Sequence, residues 1–289
     1  MKRYPSLPTV SDAPEGLLSG HLWLLELIDG WHLRFRMTDS GLIRFGDREA
    51  VYDDPGELPD AYGHAVRHVR ERFDRETLRD AVEDVSDVVF FGVATGRRTI
   101  GYDWSRTPSF LGHDVWSADA GAFRPPDAAE AIFERLGLDP VNAVERERRA
   151  RDFDPESYAV PSSAWYDGPA AGVVVRNKAG GRGVIRNEIT ENRGGDADVE
   201  RGGDAGADDV SPTDAAATYG SRERLRRIAT RIADRGRPVT TDALAERAFE
   251  AFLRERHPDV SREGEGSTRR VIRSELRSRS RRFLDDRSE

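Results

Sequence analysis

The chain has 289 residues, 45 Lys plus Arg against 53 Asp plus Glu for a net charge of −8, and no cysteine. That inventory excludes disulfides, thiolate metal sites and a cysteine nucleophile. No apolar run approaches the ~20 residues of a membrane helix, and the opening MKRYPSLPTVSDAPEG lacks the apolar stretch of a signal peptide, so the expectation is a cytoplasmic protein with no membrane partner. His21 to Ile28 is mostly apolar, as in a strand covered on both faces. Trp31, Leu33, Phe35 and Met37 alternate with His32, Arg34 and Arg36, the period of a strand with one buried face. Asp29-Gly30 between them has the residues of a tight hairpin turn. SGLIRFGDREAVYDD predicts a second hairpin. Pro59 to Val85 reads as helical with breaks near Phe73–Arg75, and Asp87 to Ala94 as a buried strand. SFLGHDVWSADAGAF predicts a strand and a turn. PPDAAEAIFERLG has proline at the start and Gly137 at the end of a helix. AGVVVRNKAGGRGVIRN predicts a strand, a turn at Gly180-Gly181 and a second strand.

Residues 188–214 hold nine acidic residues and five glycines with almost nothing large and apolar. Such a segment buries too little surface to offset its ordering entropy, so it reads as an acidic linker or long loop. Beyond it, three stretches carry helical apolar stripes: Leu225, Ile228, Ala229 and Ile232; Leu244, Ala248, Phe249 and Phe252; Ile272, Leu276 and Phe283. The expected organisation is a domain at 1–187, a linker at 188–214 and a helical domain at 215–289.

Charge is unevenly spread. Residues 221–289 hold 19 Arg and 13 Asp or Glu, a net of +6, so the remainder carries −14. Of all the cationic side chains only Lys2 and Lys178 are lysines. An acidic, arginine-using, lysine-poor chain has a halophilic composition. At about molar salt the Debye length is ~3 Å, so contacts with nucleic acid would rest on stacking and bidentate arginines. His64 and His68, four apart, have a zinc-compatible spacing but lack the Glu of H-E-x-x-H and an evident third ligand. Two surface histidines are the plainer reading, and no metal site is expected. Arg97-Arg98 after Gly96 could hold phosphate or simply form a solvated loop.

ELIDGWHLRFR, FGDR, VVFFGVATG, SFLGHDVW, AGVVVRNK and GRGVIRN, in this order, resemble the motif series of the covalent nucleotidyltransferase superfamily, and more narrowly the archaeal type of ATP-dependent RNA ligase. The resemblance covers about residues 1–187. It implies an α+β fold, a nucleotidyltransferase (ATP-grasp-like) domain of antiparallel sheets with flanking helices, followed here by a C-terminal helical domain. It implies ATP and Mg as cofactors if any family activity remains, and RNA as partner.

The same resemblance implies a lysine that attacks the α-phosphate of ATP, two residues before Asp29. Leu27 stands there, and a leucine cannot form a phosphoramidate. The carboxylates implied at Val93 and Ala171 are missing, as is the phosphate-facing lysine implied at Val184. His113 stands at the aromatic position that would stack on the base, and His32 where a polar residue is usual. Asp29, Gly30, Arg34, Arg48 and Phe91 match the pattern as nucleotide-binding residues. The expected function is therefore that of an RNA ligase-like protein that has lost self-adenylylation and retains RNA or nucleotide binding. Two alternatives stay open. One is an active ligase using Lys178 as nucleophile, Lys2 being placed at a frayed terminus. The other is an interaction or regulatory subunit of an active ligase paralogue, binding no nucleotide.

Overall fold

The structure, a computed structural model, describes residues 1–187, 211–256 and 265–288. It comprises two compact units, one of Met1–Thr95 with Thr99–Ala197 and one of Gly96–Arg98 with Asp198–Glu289.

The first unit is built on two antiparallel sheets. β1 (His21–Glu26), β8 (Ala143–Arg149), β9 (Gly172–Asn177) and β10 (Arg182–Arg186) form a four-stranded sheet in the order β10-β9-β1-β8. β2 (Trp31–Met37), β3 (Ile43–Gly46), β4 (Val51–Tyr52), β5 (Val88–Ala94), β6 (Phe110–Ser117) and β7 (Ala122–Phe123) form a six-stranded sheet in the order β4-β3-β2-β5-β6-β7. The period-two pattern of β2 sorts its faces as expected. Trp31, Leu33, Phe35 and Met37 enter a core completed by Val66 and Val69 of α1 (Gly63–Arg72), Leu78 of α2 (Arg75–Ala81) and Phe133 of α3 (Pro126–Arg135). His32 and Arg34 point to the opposite face, shared with Val93 and Phe91, their partners on β5. That face meets the four-stranded sheet, for Trp23, Leu25 and Ala171 pack in one cluster with Val93 and Leu111.

Asp29-Gly30 does not make the hairpin expected from sequence. β1 pairs with β8 and β9 while β2 pairs with β3 and β5, so Asp29-Gly30 carries the chain from one sheet to the other. Gly30 is required by close approach rather than by turn geometry. A Cβ there would lie 2.5 Å from Val93 Cγ1 and 2.6 Å from the Ala94 carbonyl. The N-terminal segment is not frayed either. The Pro8 carbonyl accepts the Val184 N–H at 2.9 Å, Thr9 bridges Val184 in parallel, and Tyr4 is buried.

In the second unit the described helices are α4 (Pro212–Tyr219), α5 (Arg222–Ala233), α6 (Thr241–Arg256) and α7 (Glu265–Ser288). The apolar stripes read from sequence bury together: Leu225, Ile228, Ala229 and Ile232 with Leu244, Ala248, Phe249, Phe252, Ile272, Leu276 and Phe283. The expected acidic linker lies outside the described residues as far as 210. Its end, 212–214, is instead the first turn of α4, where the Ser211 hydroxyl accepts the Asp214 N–H at 3.1 Å. That is a side-chain cap for a helix end.

Candidate functional site

Leu27 follows β1, and its N–H donates to the Gly172 carbonyl at 2.9 Å, which seats it beside the start of β9. Its side chain, half-buried like that of Val93, packs with Trp104, Trp165 and Tyr166 at the margin of a cluster whose buried members include Ala171, Ile100, Tyr102, Leu111 and Val141. Leu27, Val93 and Ala171 therefore belong to one cluster. What they form is an apolar cluster, which offers neither an amine nor a carboxylate. Val184 pairs with Val174 and through it with Leu25, so its side chain shares the inner face.

The carboxylates nearest Leu27 in sequence are engaged. Asp29 Oδ2 accepts the Thr99 and Ile100 N–H groups at 2.7 and 2.8 Å, while the Asp29 N–H donates to the Tyr102 hydroxyl at 2.7 Å. Burial, and then the Asp29 carboxylate, push the Tyr102 phenol well above its ordinary pKa. Glu26, buried at 2% exposure, accepts from the Ser163 hydroxyl at 2.5 Å, the Ala164 N–H at 3.1 Å and Asn142 Nδ2 at 3.2 Å. Both carboxylates clamp loops over the cluster. Among the described residues no group of three or more His, Cys, Asp or Glu converges as a metal-binding set would. His64 is buried on α1, and His68 Nε2 lies 3.6 Å from Asp139 Oδ2. The neighbouring His68 imidazole is the main influence holding the Asp139 carboxyl below its ordinary value.

The rest of the inner face is taken by the N-terminal segment. The Tyr4 ring sits 4.9 Å from His113, 5.2 Å from Phe91, 5.5 Å from His32 and 5.6 Å from Phe123, with the Arg182 guanidinium 5.2 Å from its centroid. Its hydroxyl donates to Asp114 Oδ2 at 3.1 Å. Asp114 is fully buried and meets Arg176 at 3.1 Å and Arg182 at 2.7 Å. Because β6 contributes Asp114 while β9 and β10 contribute the arginines, this ionic cluster ties the two sheets together. Arg176 also donates to the His113 and Arg124 carbonyls at 3.0 and 3.1 Å. Burial first, and then His32, Arg176 and Arg182, hold the His113 pKa well below its ordinary value, so this imidazole is neutral.

Arg34 Nη1 donates to the Lys2 carbonyl at 3.0 Å and Nη2 to the Ala50 carbonyl at 3.2 Å. Burial lowers its pKa. Arg48 is half-buried in the turn after β3, which Asp47 fastens by accepting the Glu49 and Ala50 N–H groups at 2.8 and 2.7 Å.

Lys178 lies at the far end of the four-stranded sheet. Six residues of extended chain separate it from Gly172, roughly 20 Å along the strand. Its ammonium bridges Glu147 at 2.8 Å and Asp127 at 3.0 Å. Those hydrogen bonds, Glu147 first, raise its pKa and favour the charged form, the opposite of what a nucleophilic amine needs. Lys2 places its ammonium 3.9 Å from the centroid of the Trp116 ring. Sequence reasoning missed Tyr4, Asp114, Arg176, Arg182 and Glu26. For all but Tyr4 the detectable signal was a charged residue inside a strand otherwise read as buried.

No family model matches the chain, and no curated protein matches it. Solved structures do. The fold is that of the RNA ligase nucleotidyltransferase proteins. A mutant Naegleria gruberi RNA ligase with ATP and Mn superposes with a TM-score of 0.52 at 14% identity, covering 66% of this chain and 57% of that one. The Naegleria gruberi RNA ligase with PPi gives 0.50 at 11% identity, over 67% of this chain and 58% of that one. An archaeal ATP-dependent RNA ligase aligns over 99% of this chain and 66% of that one, with a TM-score of 0.46 at 13% identity. The chain thus spans little more than half the length of the Naegleria ligase.

Proposed function

We propose that this is an RNA ligase-like protein of the ATP-dependent RNA ligase family that has lost self-adenylylation and keeps RNA as its partner. On this reading residues 1–187 are the ligase-like domain, 188–214 an acidic connection and 215–289 the RNA-contacting helical part, acting in the cytoplasm. No helix among the described residues is long and apolar enough to cross a membrane. The observation that carries the reading is the shared apolar cluster of Leu27, Val93 and Ala171. The resemblance implies that a nucleophile and two carboxylates should stand at those three positions. An isolated buried charge is costly, so apolar side chains are the stable filling once the chemistry is gone. The residues present do not fit ATP and Mg: among the described residues no amine stands at the cluster, and the carboxylates beside it, Glu26 and Asp29, are engaged by the loops at Ser163–Ala164 and Thr99–Ile100.

The ion pairs of Lys178 argue against a ligase that uses this residue as nucleophile. The packing of Tyr4 against Phe91 and His113 favours a second reading, a subunit of an active ligase paralogue that binds no nucleotide. Incubation with α-labelled ATP and Mn²⁺ or Mg²⁺, followed by a denaturing gel, should leave the protein unlabelled. Acid-labile label on the protein would overturn the proposal. Titration with labelled single-stranded RNA separates the two readings, since only the first expects saturable binding.

A further inference from the structure

Two loops of the first unit each bring a pair of aromatic side chains to the Leu27 cluster. Residues 99–107 carry Tyr102 and Trp104, and residues 161–170 carry Trp165 and Tyr166. Tyr102 is buried, whereas Trp104, Trp165 and Tyr166 are half-buried, as are Leu27 and Val93 of the same cluster. Trp104 and Tyr166 both stand edge-on to Tyr102, each with its centroid 5.7 Å away.

The loops that carry these rings are braced. The Asp103 N–H donates to the Trp165 carbonyl at 2.8 Å, tying one loop to the other. The second loop closes on itself: the Ser163 N–H donates to the Gly168 carbonyl and the Ala170 N–H to the Pro161 carbonyl, both at 2.8 Å, and the Tyr166 hydroxyl donates to the Pro169 carbonyl. Gly168 leaves room for the Tyr166 ring, since a Cβ there would lie 2.3 Å from Tyr166 Cε2. Glu26 and Asp29 accept hydrogen bonds from these same two loops. One group is left over. The Trp165 backbone N–H donates to the Ser163 hydroxyl at 3.0 Å, but the Trp165 indole N–H is buried with no acceptor among the described residues. A buried donor in that state costs stability until an acceptor reaches it.

Resting on the RNA reading above, we infer that Trp165 and Tyr166, with Trp104, Leu27 and Val93 beside them, form a platform on which an unpaired base of a single RNA strand stacks. The half-buried rings call for a planar, largely uncharged face, and the Trp165 N–H calls for an acceptor at the edge of that face. A nucleobase outside a duplex supplies both. Rings held in place before binding lose little freedom when a base is laid on them. A phosphate by itself would meet apolar rings and the carboxylates of Glu26 and Asp29. A second copy of the chain is the competing occupant, and the planar rings with an edge donor favour the base. Stacking needs no release of counterions, so this contact persists where salt screens phosphate contacts.

The test uses the full chain and fluorescein anisotropy with two probes, a short oligoadenylate and an abasic ribose-phosphate strand of the same length, at low and at about molar salt. The parent should bind oligoadenylate at both salts, and the abasic strand at least tenfold more weakly at high salt. The variant Trp165→Leu, Tyr166→Leu should lose roughly tenfold or more in oligoadenylate affinity at high salt, the scale of one lost base stack. Trp116→Leu, which removes a ring packed on Phe123 instead, should stay within about twofold of the parent, since it touches no stacked base. Parental circular dichroism is required of both variants, and the comparison of the two strands holds whether or not a variant folds. Equal binding of the two strands, loss of all binding at high salt, an unaffected double variant or an equal fall in Trp116→Leu would each overturn the platform, although RNA binding would stand. Self-association of the parent in sedimentation, abolished in the double variant, would assign the face to a second copy and overturn it too. A parent that binds no RNA at either salt would remove the RNA reading itself.

Discussion

Replacing Asp114 with Asn should unfold the first unit under conditions where the parent is stable. The carboxylate is fully buried, and its partners Arg176 and Arg182 are 1% and 8% exposed. Removing one member of a buried ion pair costs about 3–5 kcal/mol, because the other charge is left uncompensated. Two features place this case near the lower figure. Arg176 keeps its carbonyl acceptors at His113 and Arg124, and Arg182 lies 4.2 Å from the Phe123 ring centroid. A loss of ~3 kcal/mol is a large share of a typical domain's 5–15 kcal/mol, and at an m-value of about 2 kcal/mol/M it lowers the urea midpoint by roughly 1.5 M. The five tryptophans, Trp23, Trp31, Trp104, Trp116 and Trp165, all precede residue 187. Their fluorescence therefore reports the first unit separately from the helical one. Asp53→Asn is the reference, since Asp53 is 83% exposed in its pair with Arg44 and such pairs contribute about 0–1 kcal/mol. If Asp114→Asn loses no more than Asp53→Asn, the buried cluster does not hold the sheets together as argued.

Other outcomes follow from the same geometry. His113 is kept neutral when folded and regains an ordinary pKa of about 6.5 when unfolded. The unfolded chain then binds the extra proton, so its contribution is constant above pH ~6.5 and stability falls as pH drops below that value. His113→Gln should flatten the decline of the urea midpoint between about pH 6.5 and 5, and an unchanged decline would show that this imidazole is not enclosed. Leu27→Lys alone should give no AMP transfer in the labelled-ATP gel assay, because Val93 and Ala171 still leave apolar side chains where the resemblance implies carboxylates. Any label that returns should require Leu27→Lys, Val93→Glu, Ala171→Glu and Val184→Lys together, since groups that act as a unit are non-additive. Robust transfer by the single variant would show that Val93, Ala171 and Val184 are misassigned.

What could be read from sequence was whatever periodicity controls. The alternation in Trp31–Met37 and the helical stripes at Leu225–Ile232 and Leu244–Phe252 sort buried from exposed side chains by local geometry, and they do so in the structure. Three features escaped. β8, AVERERR, has five charged residues in seven, so it carries no apolar alternation; it is an edge strand held by pairing with β1 and shielded by its charges. The N-terminal segment up to Pro8 has no regular element to betray it; long-range contacts such as those with Arg34, Val184 and Asp114 fix it in place. Asp29-Gly30 has hairpin chemistry, yet the strands on either side belong to different sheets, a matter of long-range pairing that no local rule can supply. That Leu27, Val93 and Ala171 share one cluster, and that Tyr4 packs against Phe91 and His113, are matters of long-range packing in the same way.

On the proposed reading, the structure also explains which motif residues remain. Asp29 holds the loop at Thr99–Ile100, Gly30 leaves space for Val93 and Ala94, Arg34 joins two backbone carbonyls, and Phe91 packs against Tyr4. Each has a structural task that would persist if no nucleotide were ever bound. A lysine at 27, carboxylates at 93 and 171 and a lysine at 184 would have no such task, because the groups they would oppose are a nucleotide and a metal. Without those ligands, like and unlike charges would be left in a low-dielectric interior and would cost stability unless paired. Leu27, Val93 and Ala171 remove that cost and add apolar contacts to a cluster that already includes Ile100, Leu111 and Val141. The boundary between retained and replaced residues therefore follows employment in the fold. A chain that still transferred AMP would be held to the opposite division, with the charged positions fixed by chemistry and the packing positions free to vary in size.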